Sequence, residues 1–178
     1  RYVVDNVVRK RASILICIII LMITLCSCSI VSNFNDFVSQ EQEIKTIAQQ
    51  VMQCIVNKNK TELLHLFSTD IQNNYAQQIT FELDRAFEFI NGKIISYDYA
   101  GIYGESEKVH YGKVKFYDCN PKICNVITDS GVKYEIKFVY TRTWETKPER
   151  EGISEIRIID AENHNSYVEI GFFYGYDE

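Results

Sequence analysis

An isomerase or dehydratase built inside a small domain needs an Asp or His to carry a proton and a Tyr or second acid within its reach, since charge that develops on the substrate must be met. Asp84, His65, His110, Tyr97 and Tyr134 are the residues whose types fit that work. Each also has a plainer reading. Asp84 precedes Arg85 on a helical segment, where a solvated surface charge is the usual outcome. His110 lies between Val109 and Tyr111 in a strand-like run, and His65 ends a short helical one; structural or exposed histidines are commoner than general bases. No Gly-x-Ser-x-Gly elbow, phosphate loop, His-Glu-x-x-His or Asp-rich calcium loop is present. We therefore assign no catalytic residue and expect no cofactor and no metal. Asp84, His110, Tyr97 and Tyr134 are kept as pocket candidates.

A different chemistry is written at the start of the chain. Arg9-Lys10-Arg11 leads into an apolar run from Ala12 to Leu25, and Leu25-Cys26-Ser27-Cys28 follows. Cations before a hydrophobic segment stay on the cytoplasmic side, so the other end faces outward. The run has the length of a signal-peptide core and is short for a helix crossing about 30 Å of hydrocarbon. Leu25-Cys26-Ser27-Cys28 resembles the bacterial lipobox, with a branched apolar residue at minus three, a small one at minus one and then a cysteine. That resemblance makes residues 1–27 a lipoprotein signal peptide and Cys28 the lipidated first mature residue, bearing diacylglyceryl and acyl groups such as palmitate. Two or more chains make a stable anchor. An uncleaved signal anchor extended through Ser29-Ile30-Val31 is the alternative, and it exports the same domain.

Composition narrows the partners. Removing residues 1–27 takes away Arg1, Arg9, Lys10, Arg11 and Asp5, which moves the formal charge from -5 to -8. An acidic domain excludes nucleic acid as the expected partner. Few Pro and Gly beside 12 Tyr and 10 Phe describe a folded, β-rich body rather than a stalk. Residues 28–38 read as a tether, and residues 39–178 have the size of one domain with one core.

Cys119 and Cys124 bracket Asn120-Pro121-Lys122-Ile123, which reads as a turn between two strands, so a hairpin could bring the two thiols within disulfide range. Export permits that bond. A Cys-x4-Cys metal pair is the rival, but no second pair or neighbouring His completes a tetrahedral set. Cys54 shares a helix face with Ile47, Val51 and Ile55 and reads as a small buried hydrophobe.

The elements that must position these residues change type once. Ile44, Ile47, Ala48, Val51 and Ile55 recur at helical spacing, Thr61 to Phe67 forms a second short helix, and Ser68, Thr69 and Asp70 offer caps to a longer third one closed by Asn91-Gly92. After Gly92 the period falls from about 3.6 to 2. Strands are expected over 93–100, 109–119, 132–144, 153–159 and 166–173, with turns at Thr128 to Gly131 and Asn163 to Asn165 and a charged loop at 146–152. Val132, Tyr134, Ile136, Phe138 and Tyr140 share the core face of the longest strand, and Lys133, Glu135 and Lys137 the wet one. Helices first and sheet afterwards make an α+β fold, with about three helices packed on one face of a strongly curved antiparallel sheet.

The stretch from Ala86 to Asp98, with Gly131-Val132-Lys133-Tyr134-Glu135-Ile136 and Gly152-Ile153-Ser154 downstream, resembles an uncharacterised family of bacterial lipoproteins. The likeness covers most of residues 40–160. It implies a lipobox joined to a nuclear-transport-factor-2-like, or cystatin-like, cone, and it brings no catalytic residues. Fold does not choose a function. The expectation is an anchored, extracytoplasmic, non-enzymatic domain that binds a small ligand or an envelope protein. The alternatives are an enzyme using the cone interior, or an accessory or immunity-type lipoprotein. An open interior lined by ionisable groups would favour the enzyme, and one filled with Ile, Phe and Tyr would remove it. Tyr97, Tyr99, Tyr103 and the terminal Phe172, Phe173, Tyr174 and Tyr176 are either a groove lining or sheet packing.

Overall fold

The computed structural model of the chain describes residues 38–175. The expected leader at 1–27, Cys28, most of the expected tether and Tyr176 lie outside the described residues. The body from Ile44 onward is a separate compact unit.

Helix α1 spans 38–56. Its buried residues Ile44, Ala48, Val51, Met52 and Ile55 follow the spacing that lays one helix stripe on a core. The chain leaves α1 through Lys58, whose φ of 51° is left-handed, and Asn59 caps α2 (Lys60–His65) by accepting from the Glu62 amide. Ser68 caps α3 (Thr69–Asn74) in the same way through the Ile71 amide. The structure breaks the single third helix expected from the sequence into α3 and α4 (Ala76–Phe89). Tyr75 leaves helical geometry at φ -131° and sets its ring edge-on against Phe172, 4.9 Å away, so a tertiary contact outweighs local continuity. Four α-helices result among the described residues.

Five strands follow as an antiparallel meander in the order β1 to β5: β1 (Ile94–His110), β2 (Lys113–Thr128), β3 (Lys133–Trp144), β4 (Gly152–Asp160) and β5 (Tyr167–Gly171). The sheet does not close. Strands β1 and β2 run much further than expected. Gly101, Gly104 and Pro121, which punctuate the sequence, are absorbed as slips in register: Pro121 pairs with Ile102 next to the slip before Glu105, the kind of place where a strand tolerates a residue lacking an N–H. The hairpin turn is Tyr111-Gly112 instead, with φ of 49° and 73°, the pair of positive values a tight two-residue turn requires.

That correction removes the Cys119–Cys124 bridge. Both cysteines lie along the one strand β2 and are not bonded to each other. Five residues of strand separate their Cα atoms by about 16 Å, well past disulfide reach.

The helices cover one sheet face. Ile123, Val126, Tyr134, Ile136, Phe138, Ile153, Ile156, Ile158 and Ile170 meet Val51, Ile55, Leu63, Phe67, Ile79, Leu83 and Phe87 in a single apolar cluster. The alternation expected along β3 holds to Phe138 and then slips, because a bulge between Val139 and Tyr140 buries Val139 and Thr141 in turn. Two backbone bonds clamp the layers together: the Ser68 amide donates to the Ile153 carbonyl and the Ile153 amide to the Leu66 carbonyl.

Candidate functional site

The space between sheet and helices is filled. Its largest fully buried side chains are Phe67, Phe138, Met52, Leu63 and a set of isoleucines, and the buried polar residues among those described are Ser68, Asp118, Thr128, Thr141 and Ser154. Among the described residues, packing of this kind fills the layer between sheet and helices with apolar side chains.

The four pocket candidates are not brought together. Tyr134 is buried, and its hydroxyl is committed to the end of α4: it accepts from the Asn91 amide at 2.9 Å and donates to the Phe89 carbonyl at 3.1 Å. Those are orphan groups of a helix terminus, so the ring works as a latch. Asp84 is on the outer side of α4 in an exposed pair with Lys60, 2.8 Å away. Tyr97 is exposed near the start of β1, and His110 is at the far end of that strand, its ring edge-on to Tyr111 at 4.3 Å. His65 closes α2. No proton relay connects them.

Concavity is found instead around the left-handed turn after α1. Two depressions of about 520 and 530 Å³ share Lys58, Ile90 and Gly92. Ile55, Ile90 and Ile94 form the apolar floor of the first; Lys60, Asp84 and Glu88 stand on the rim of the second. Gly92 is required here: at φ 94° a Cβ would meet Asp129 Oδ1 at 2.5 Å, and that oxygen already accepts from the Lys93 amide. A third cleft of about 330 Å³ exposes Cys54 beside Asn57, Asn59 and Glu62. Burial, then the Glu62 charge, raises the Cys54 thiol above its ordinary pKa, so it is a poor nucleophile. An apolar floor under mixed charges suits reversible binding of a small amphiphile better than bond making.

Sequence reading passed over Asp118. It is 2 % exposed, flanked on β2 by buried Tyr117 and Cys119, and its Oδ1 has no hydrogen-bond partner among the described residues. Burial pushes its carboxyl up to about 6, against the opposing pull of the Ser106 amide and its own. None of the three clefts reaches it. The signal was an acid inside an aromatic strand run, which alternation alone places on a wet face.

The opposite sheet face carries a cross-strand ladder. Glu135 accepts from Lys122 at 2.9 Å with Lys137 3.6 Å away, while Arg157 sits between Glu155 at 2.9 Å and Glu169 at 2.7 Å. Burial alone would raise Glu135, but the Lys122 hydrogen bond and charge, with Lys137, hold its carboxyl below the usual range. Tyr103 and Tyr167 stack on Lys137 and Arg157. These charges neutralise one another.

Among the described residues no three His, Cys, Asp or Glu side chains converge as a metal-ligand set, and no helix is long and apolar enough to cross a membrane. A family model described as a domain of unknown function (DUF5104) matches residues 50–161. No curated protein matches the chain.

Proposed function

Because the chain belongs to the DUF5104 family of domains of unknown function, no reaction comes with its membership, and we propose from the residues that it is a membrane-anchored extracytoplasmic lipoprotein with a non-enzymatic binding domain. The domain takes a nuclear-transport-factor-2-like, or cystatin-like, arrangement with an apolar filling, and it engages a small ligand or an envelope protein from its surface. One observation carries the binding half of this reading. The interior is packed with Ile, Phe, Leu and Met, and each pocket candidate is either exposed at its own place or, like Tyr134, occupied in holding the fold. Among the described residues, the enzyme alternative finds no cluster of its candidate ionisable groups inside that layer.

The anchoring half is supported by Arg9-Lys10-Arg11, the apolar run and Leu25-Cys26-Ser27-Cys28. A diacylglyceryl thioether on Cys28 with an acylated amino terminus holds the domain at the outer side of the membrane. Feeding cells radiolabelled palmitate tests it. The parent protein should take up label, and Cys28→Ala should lose the label and keep its leader. Normal processing of that variant would refute the site.

A further inference from the structure

The β1–β2 hairpin continues past the rest of the sheet. Pairing of β3 with β2 stops at Phe116 and Trp144, and all eight residues from 107 to 114 are exposed, so both faces of this two-stranded finger meet solvent. A two-stranded ribbon gains little stability by itself, and the residues of this one join neither apolar cluster of the domain. Val109 and Val114 pair across the finger on one face and His110 pairs with Lys113 on the other. Tyr111 stands at the apex, 95 % exposed.

That apex is an unfavourable place for a tyrosine. Tyr111 adopts φ 49° in a turn where Asn or Gly is accommodated without strain, so its ring is kept at a conformational cost. The charge also differs from the rest of the domain: Lys108 and Lys113 outnumber Glu107 on the finger of an otherwise acidic domain. An aromatic apex, two exposed valines and lysines just behind them match the interface of an anionic bilayer, where rings sit at headgroup depth and lysines meet lipid charge.

Chain entry lies in the same half of the hairpin. The segment leading to Cys28 joins the compact unit at Ile44, which packs on Tyr117 and Cys119. From Tyr117 to the turn is about 17 Å of strand, and eleven residues such as 28–38 can span at most about 36–40 Å, so the tip is within reach of the surface that would hold the anchor. We propose that the 107–114 finger is a second membrane contact, inserting Tyr111, Val109 and Val114 among anionic headgroups and fixing the orientation of the tethered domain. The inference rests on the anchor proposed above, which supplies the high local concentration that a small tip needs.

The test uses the lipidated full chain, extracted from membranes and placed in nanodiscs of phosphatidylcholine with or without phosphatidylglycerol, both carrying brominated acyl chains. Tyr111→Trp puts a reporter at the apex, and the parent's buried Trp144 supplies the background. Fluorescence of the introduced indole should be quenched in anionic discs, and Lys108→Glu or Lys113→Glu should weaken that contact by about fivefold or more each. An unquenched reporter in discs that retain the protein would overturn the finger and leave the anchor standing; failure to enter discs would overturn the anchor itself. Quenching indifferent to lipid charge also counts against the proposal. So does a photo-crosslinker at position 111 that captures one envelope protein in cells while discs show no quenching.

Discussion

Asp118 is the residue whose energetics are most exposed to test. Its carboxyl is raised in the folded state to about 6, while in the unfolded chain it titrates near 4. Between those values the folded protein holds a proton that the unfolded chain has released, so this contribution to stability is present at low pH and is lost as pH rises through about 6. The full effect is about 3 kcal/mol. Asp118→Asn abolishes the titration, so its stability relative to the parent should rise by up to about 3 kcal/mol between pH 4 and 7.5, read from urea midpoints at the two pH values. A pH-independent difference would contradict the burial argument. Tyr134 gives a second residue-level prediction. Tyr134→Phe leaves the Asn91 amide and Phe89 carbonyl without their partner and should cost about 1–3 kcal/mol with the domain still folded. Tyr111→Asn should act in the opposite direction, gaining about 1 kcal/mol by relieving the left-handed apex, because that ring packs on no core residue.

At the scale of elements, the passage from α4 into β1 is held by a small set of contacts. Asp129 accepts from the Lys93 amide, Ser130 donates to the Asn91 carbonyl, and Gly92 fits between them with no room for a side chain. Gly92→Ala should therefore lower stability by on the order of 1–3 kcal/mol, visible as a fall in thermal midpoint. This junction was legible in the sequence because Asn91-Gly92 is a local stop signal after a helical period. The α1 stripe, the Ser68 cap, the turn at Thr128 to Gly131 and the core face of β3 up to Phe138 were legible for the same reason: each is set by neighbours within a few positions. What could not be read depends on partners far along the chain. The β2 strand through Asn120-Pro121 exists because β1 slips register opposite it, and the break at Tyr75 exists because Phe172 waits almost a hundred residues later. Bulges change which residues face the core, and no period announces them. The pocket candidates are scattered on this ground, with Asp84 at a cleft rim and Tyr134 holding the end of α4, since residue type suggests chemistry while placement is decided by distant pairing.

At the scale of the molecule, the described residues form a five-stranded open meander with four α-helices on one face and an apolar layer between them. The clefts around Lys58, the neutralised ladder on the far face and the projecting hairpin are the surfaces that the proposed binding role would use. All three need the protein to be held where that partner is, and the proposed lipid on Cys28 does this. Intact-mass spectrometry of the native protein extracted from membranes tests that claim most directly. The account predicts a polypeptide beginning at Cys28, heavier than its sequence by a diacylglyceryl group and acyl chain. A polypeptide of unmodified mass, retaining residues 1–27 and recovered from the cytosol, would contradict it.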